Sequence, residues 1–400
     1  MLFFYIISGI LTFFLVLPFL TVLAAQFTKN NTKPVLPQGK ALKEFDFANI
    51  ITAYKNIEIA KPLVMSLLRQ NHQNHHVYLV ADVADVNNWD ISHPKFTLLR
   101  PTEGLNLKVK SIIYATEWFV SPHEYTIIWD ADNLAHPDFL AEINAWANTG
   151  EKAIQGQRTA KNLDNKMAAA DSLGEFYKNY IERLVPPRLG SSTVISGSGM
   201  AVETQLYNSY LYGKEIQHGQ HLWKKMMQED KILQNHIIRA GQRIVYAKDA
   251  ICYDEKVSNA GQVETQRSRW LFSYFQNLPN STSFVLTGLF GNWNKFLFGL
   301  ITVSPPLFIL VGLSGLCFLL GLFLNWQVSA VLAIGILVFI ANIFWTLSLS
   351  NAPKAVFNSV LVMPTFILKQ FFALFKMVNP NKNFKHSEHT VKVTIDDVVK

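Results

Sequence analysis

Tyr125-Thr-Ile-Ile-Trp-Asp130-Ala-Asp132 is the stretch that decides the fold. A short run of β-formers ends abruptly in two carboxylates, which reads as a buried strand delivering acids to a loop. Upstream, Phe47–Tyr54 and Val77–Ala81 read as two more buried strands, the second ending at Asp82. Between them, residues 59–70 and 108–120 carry apolar positions at helical spacing. Strands alternating with helices imply an α/β fold with a mostly parallel, Rossmann-like sheet. Such sheets bind ligands beyond the carboxyl ends of their strands. Tyr54, Asp82 and Asp130 all fall at those ends.

Further along, 167–185 and 229–240 read as helices, and Arg243–Ala247 and Ala250–Tyr253 as two short strands. Ser196-Gly-Ser-Gly199 is a loop of small residues, and a helix from 264 carries Gln266, Arg269 and Trp270.

Half of the 400 residues are hydrophobic, and two stretches account for the excess: 1–28 and 296–353 contain no charged residue. A membrane-spanning helix needs about 20 apolar residues. The first stretch holds one span and the second is long enough for two. The N-terminal run lacks the basic start of a signal peptide and exceeds its usual apolar length, so it reads as an uncleaved anchor. Lys29, Lys33, Lys40 and Lys43 follow the first span, and Lys354, Lys369, Lys376, Lys382 and Lys385 follow the last. The loop Asn325-Trp-Gln327 has no positive charge. By the positive-inside rule the N-terminus lies outside, and the large middle region and the tail lie in the cytosol of an inner or plasma membrane. Residues 284–300 and 355–377 are apolar but interrupted by Lys295, Pro364, Lys369 and Lys376, which suits the membrane interface. The polar last twenty or so residues are expected to be loosely ordered.

The net charge of +7 fits that lysine bias and attraction to anionic headgroups. No basic run with interleaved aromatics points to nucleic acid. Two cysteines, Cys252 in the polar region and Cys317 in the apolar tract, indicate no disulfide framework.

Several residues carry chemistry. Asp130 and Asp132 at a strand end can ligate a hard divalent cation whose other ligands are phosphates and water; the plain alternative is a pair of solvated turn acids. Asp82 can accept a hydrogen bond from a nucleobase N–H, or simply cap its strand end. Lys108 or Lys110, opening a helix, can reach a phosphate, or lie on the surface. Glu229 and Asp230 begin a helix, where acids suit the dipole; there one can also serve as a general base toward a sugar hydroxyl. Gln266, Arg269 and Trp270 share one helix face. Arginine suits bidentate phosphate contact and tryptophan a sugar ring, although a Trp/Arg pair also anchors helices at a membrane interface. His72, His75 and His76 read as a polar loop rather than a metal site, and His386 and His389 are equally bland.

In order along the chain, Thr52-Ala53-Tyr54, Asp82, the Lys108 region, Asp130-Ala-Asp132, Ser196-Gly-Ser-Gly-Met200, Glu229-Asp230 and Gln266-x-x-Arg269-Trp270 resemble the motifs of membrane-associated family-2 glycosyltransferases of GT-A fold. That group includes cellulose, hyaluronan and poly-N-acetylglucosamine synthases and ceramide glucosyltransferase. The resemblance covers about 45–275. It implies an inverting transferase moving a hexosyl or N-acetylhexosaminyl group from a nucleotide-diphosphate donor, UDP-linked by its pattern, to a lipid or a growing glycan. By this resemblance Thr52, Ala53, Tyr54, Asp82, Lys108 and Asp130 would bind nucleotide. Asp130 and Asp132 would hold Mg²⁺ or Mn²⁺. Asp230 would be the general base beside Glu229, with Gln266, Arg269 and Trp270 at the leaving group and acceptor. The first motif, Ala53-Tyr-Lys-Asn56, lacks the acidic residue that usually follows its Asn, Lys55 also differs, and Gln228 replaces a common Thr.

The resulting layout is an anchor at 1–26, a cytosolic GT-A domain at 40–280 and an interfacial helix region at 281–303. Two transmembrane helices at 304–352, an interfacial amphipathic helix at 353–378 and a polar cytosolic tail at 379–400 follow. Alternatives are a processive exopolysaccharide synthase, a non-catalytic membrane scaffold and a transporter. Three spans without ionisable residues make a poor transport path, and are few for a polymer channel, which leaves room for a secretion or assembly partner.

Overall fold

The computed structural model describes residues 1–28, 32–36, 39, 41–163, 166–213, 216, 228–256, 260–363 and 393–399, with the backbone alone over 260–269. It divides into two units. A sheet unit comprises Asn30–Asn162, Ser192–Lys256 and Glu388–Lys400; a helical unit comprises Met1–Lys29, Leu163–Ser191 and Val257–Ser387.

The sheet unit holds strands β1 (Phe47–Tyr54), β2 (His75–Asp82), β3 (Phe96–Leu99), β4 (Tyr125–Asp130), β5 (Leu134–Ala135), β6 (Ala153–Ala160), β7 (Met200–Glu203) and β8 (Val245–Asp254). Their spatial order is β3-β2-β1-β4-β7-β6-β8-β5. Parallel ladders join β1 to β2 and β4, β2 to β3, and β6 to β8. Antiparallel ladders join β4 to β7, β6 to β7, and β5 to β8. β1 and β2 are buried along nearly their whole length, as central parallel strands covered on both faces require. Helices Lys61–Leu68 and Phe139–Ala147 contribute Leu63, Val64, Leu67, Phe139, Leu140 and Ile143 to the core under β1 and β4. Trp129 is fully buried, and its indole N–H donates to Asn49 Oδ1 at 3.0 Å.

Some expectations are corrected. The two strands expected at 243–253 are one, β8, because the β6–β8 ladder jumps from Ala247↔Gly156 to Ile251↔Gln157 and bulges out the residues between. His75 and His76 lie buried in β2 rather than in a loop. His75 Nδ1 pairs with the His72 carbonyl at 2.9 Å, and His76 Nε2 with Thr97 Oγ1 at 2.8 Å. The helix expected over 167–185 is Lys166–Lys178 continued by a π-helical turn, Asn179–Leu184. The tail is not loose throughout. Thr394 and Asp397 form a capping box on the short helix Ile395–Val398, Ile395 is buried, and Arg69 bridges Asp396 at 3.0 Å.

The two strand histidines give the sheet unit a pH dependence. Burial, helped by Lys95, pushes the His75 imidazole down to about 4. Burial, helped by His123, does the same to His76, also to about 4. The unfolded chain therefore binds these protons more readily than the folded one, against an unperturbed value of about 6.5. The stability they permit is complete above pH about 6.5 and is lost as pH falls from there toward 4. The unfolding midpoint is expected to fall more steeply over that window in the wild-type protein than in a His75→Gln, His76→Gln variant. Equal slopes in a thermal melt series would contradict this.

In the helical unit, Leu2–Gln26, Leu307–Leu324 and Trp326–Leu349 are long and apolar enough to cross a membrane, as the charge-free stretches imply. Asn325 makes the tight link between the last two, its side chain accepting from the Gln327 N–H at 3.0 Å. Small residues let these helices approach closely. A side chain at Gly335 would meet Leu15 and Thr12, and one at Gly321 would strike Ser329. Leu11, Leu15, Leu310, Leu332 and Phe339 share a core with Tyr177, Tyr180 and Val185. Helix Ala260–Gly288 runs through Pro279, and Trp293–Val303 packs against it. Of the amphipathic segment expected at 353–378, Lys354–Ser359 is helical and Val360–Val362 a 3₁₀ turn; 364–378 lies outside the described residues.

Candidate active site

β1 is the point where the strand order reverses. The chain passes from β1 outward to β2 and β3, then returns to the other side of β1 as β4. The crevice beyond such a reversal is where open α/β sheets bind ligands. The register puts Asp130 beside Thr52 and Asp82 beside Tyr54, so both acids reach the same end of the sheet.

The backbone there is strained. Lys55 (φ 63), Val83 (φ 54) and Asn106 (φ 57) adopt left-handed conformations, the least favourable being the β-branched valine. Asp82 holds the region together. Its carboxylate accepts the Leu105 and Asn106 N–H groups, each at 2.7 Å, and its carbonyl accepts the Lys55 N–H at 2.9 Å. Tyr54 donates its hydroxyl to Asn106 Oδ1 at 3.1 Å. Asp82 thus fixes the 104–107 loop, and each carboxylate oxygen keeps acceptor capacity for a further donor. Thr52 is half-buried and Ala53 buried at the end of β1.

That loop leads into helix Lys108–Glu117. The Lys108 ammonium donates to Asp130 Oδ1 at 2.7 Å and to the Gly197 carbonyl at 3.0 Å, and lies 3.7 Å from Glu229 Oε1. Burial pulls its pKa down, but the Asp130, Glu229 and Asp230 carboxylates more than offset this and raise it, so the group stays cationic. Burial raises the Glu229 carboxyl, Lys108 pulls it back and Asp230 raises it again, leaving it above its ordinary value. Glu229 and Asp230 start helix Glu229–Arg239, and Tyr210 anchors that start by donating to the Glu229 carbonyl at 2.8 Å.

Gly197 sits between lysine and acid. It has φ +87, and a Cβ there would stand 3.6 Å from Asp230 Oδ2. Gly197→Ala meets both the left-handed penalty of roughly 1–2 kcal/mol and a shifted loop beside Asp230. It is expected to lower turnover at least several-fold with the fold retained. Wild-type kcat in this variant would show that the loop does not position the acid.

Asp132 is buried, and its carbonyl accepts from the Lys161 ammonium at 2.9 Å. Asp130 and Asp132 offer hard oxygen donors suited to Mg²⁺ or Mn²⁺. Among the described residues no group of three or more His, Cys, Asp or Glu is placed to hold a metal by itself. A site of one or two carboxylates completed by substrate phosphates is the usual arrangement for Mg²⁺, and the donor set fits it.

Gln266, Arg269 and Trp270 lie on helix Ala260–Gly288 of the helical unit. The side chains of Gln266 and Arg269 fall outside the described residues; Trp270 is 41% exposed, with the Lys178 ammonium 5.5 Å from its ring centre. Sequence reasoning missed Asn133, Arg158, Lys161 and Asp254, which surround the Asp-Ala-Asp turn. The one available signal was the charged block Asp254-Glu-Lys256 closing a strand.

The sheet, the strand-order reversal and the acids at its mouth define a Rossmann-like α/β domain of the sort that handles nucleotides. The family described as "Glycosyltransferase like family 2" matches residues 46–273, more than half of the chain. The chain belongs to this family, whose members transfer glycosyl groups from nucleotide sugars. Two solved structures are similar. One is the mannosyltransferase PcManGT from Pyrobaculum calidifontis in complex with GDP-Man and Mn²⁺ (14% identity, 84% of this chain and 99% of that one, TM-score 0.47). The other is S. aureus TarS (11% identity, 60% of this chain and 40% of that one, TM-score 0.39). No curated protein matches the chain.

Proposed function

We propose that the protein is an inverting, metal-dependent transferase that moves a sugar from a UDP-linked donor to a membrane lipid. The observation carrying this reading is the convergence of Asp130, Glu229, Asp230 and the Gly197 carbonyl around the Lys108 ammonium, at the strand-order reversal.

Asp82 and Tyr54 shape the nucleoside end of the crevice, with Thr52 and Ala53 as its floor. Lys108 offers fixed positive charge for a phosphate, and Asp130 and Asp132 would hold Mg²⁺ or Mn²⁺. When bound, that ion offsets charge gathering on the departing diphosphate. Asp230 takes the proton of the acceptor hydroxyl. The hydroxyl oxygen bonds to the anomeric carbon as the bond from that carbon to the diphosphate oxygen breaks, and the electron pair leaves with UDP. Lys108 remains protonated throughout and serves as electrostatic stabiliser rather than acid. Gln266, Arg269 and Trp270 are assigned to the leaving group and acceptor by the family resemblance alone.

Three apolar helices support a membrane location, and the lysine bias supports a cytosolic sheet unit. Among the described residues three helices are long and apolar enough to span a membrane, few for an enclosed polymer path, which favours a single transfer to lipid. Product analysis tests this. With membrane lipid extract and the active donor, one lipid-linked glycan of inverted anomeric configuration is expected. A ladder of long chains would replace this reading with a processive synthase, and a retained configuration would remove the direct displacement.

A further inference from the structure

Two consecutive acids at the end of β8, Asp254 and Glu255, each connect through one intermediate side chain to the Asp130–Asp132 turn. The first connection runs to the start of the turn. Asn133 Oδ1 accepts the Asp130 N–H at 3.1 Å, while Asn133 Nδ2 donates to Asp254 Oδ1 at 3.2 Å. The second runs to its end. The Lys161 ammonium donates to the Asp132 carbonyl at 2.9 Å and pairs with Glu255 Oε2 at 3.1 Å. Pairing of the strands creates both. Leu134↔Tyr253 in the β5–β8 ladder sets Asn133 beside Asp254, and Ala160↔Asp254 in the β6–β8 ladder sets Lys161 beside Glu255.

The Asp254 end of the first connection is held by further charges. Asp254 Oδ2 accepts from Arg158 at 2.9 Å and from Lys256 at 3.0 Å, and Arg158 also donates to the Ser196 carbonyl at 2.7 Å. The Asn133 side chain is buried, as are Lys161 and Glu255, with side chains only 5% and 8% exposed. Buried, paired charges of this kind hold one geometry, because any rearrangement leaves a charge unpaired.

We propose that Asp254 and Glu255 are positioning residues for the divalent cation of this transferase. Asp254, through Asn133, holds the Asp130 backbone; Glu255, through Lys161, holds the Asp132 backbone; together they fix the separation of the two carboxylates. The inference rests on the metal reading of Asp130 and Asp132 given above. Groups that orient ligands in this way typically change metal affinity 10–100-fold.

The test is Mn²⁺ binding to the full-length, detergent-purified protein, with and without UDP, read as loss of the free Mn²⁺ paramagnetic resonance signal. Far-UV circular dichroism checks the fold of each variant. Wild type is expected to bind and Asp132→Ala not to bind. Asn133→Ala and Lys161→Met, which leave both carboxylates in place, should each weaken binding about tenfold or more. Turnover at saturating Mn²⁺ should change far less than the metal requirement. Asn133→Asp sets two carboxylates together and should bind worse still. Adding Asp254→Asn restores a donor–acceptor pair and should recover much of the affinity. Should Asn133→Ala not fold, Lys161→Met and the Asn133→Asp, Asp254→Asn exchange decide alone. Wild-type affinity in Asn133→Ala and Lys161→Met, with binding lost in Asp132→Ala, would overturn the positioning role while leaving the metal reading intact. No Mn²⁺ binding by the wild type would remove both.

Discussion

Replacing Asp230 by asparagine is expected to lower kcat by about 10²–10⁴-fold, the span typical of a lost general base. The change is nearly isosteric. Asp230 Oδ1 accepts the Lys231 N–H at 2.8 Å, and an amide oxygen can do the same, so the helix start should survive. Gly197 and Lys108 keep their positions, and the donor should bind with little change. The expected pattern is a fall in kcat without a matching rise in donor KM, which marks a group used in the transition state. Glu229→Gln makes the informative comparison. Glu229 is held above its ordinary carboxylate value by burial, offset in part by Lys108. Its carboxylate lies 3.7 Å from the Lys108 ammonium, so its loss should act mainly through Lys108 and be milder. Equal turnover in Asp230→Asn and wild type would end the assignment of the base.

Asp132→Ala is expected to have an effect of similar or greater size by a different route. On the proposed reading Asp132 would be a ligand of the ion that offsets charge on the diphosphate, and removing it would forfeit several kcal/mol of transition-state stabilisation. Asp130 cannot take over alone, because one of its oxygens already accepts from Lys108 at 2.7 Å. Turnover should fall by about 10³-fold or more and should lose its response to added Mn²⁺ across any practical concentration. The far-UV spectrum should be unchanged, since the Asp132 backbone remains held by Lys161. Full metal-dependent activity in this variant would place the ion elsewhere.

The parts of the fold that were legible in the sequence are those that bury both faces. β1, β2 and β4 are runs of apolar and β-branched residues, so their existence, and the acids that end β2 and β4, could be read directly. β6 mixes Gln, Gly, Arg and Thr, and β5 and β7 are very short, so none carries a periodic signal. β8 looked like two strands because its bulge carries Lys248 and Asp249 in the middle of one ladder.

The site divides the same way. Lys108, Asp130, Glu229 and Asp230 each sit at the start of a helix or the end of a strand, where position itself signals exposure to a crevice. Their convergence on one ammonium is a tertiary fact. The Asn133–Asp254 and Lys161–Glu255 links join residues about a hundred positions apart through ladders that composition does not reveal. Lys108 was read as a phosphate ligand, and the structure adds its hydrogen bond to Asp130. For Asp82, read as a base acceptor, the structure shows the carboxylate holding the 104–107 loop.

Release of nucleoside diphosphate from a panel of UDP- and GDP-sugars decides whether the acids around Lys108 run a metal-dependent transfer. The assay would use purified wild-type and Asp230→Asn protein with Mg²⁺, Mn²⁺ or EDTA, with and without membrane lipid extract. UDP is expected to be released from one donor, with release dependent on metal, stimulated by lipid and nearly absent in Asp230→Asn. Release that persists in EDTA and in Asp230→Asn, or no release from any donor together with no metal-dependent nucleotide binding, would rule out Asp230 and a bound metal as the catalytic machinery.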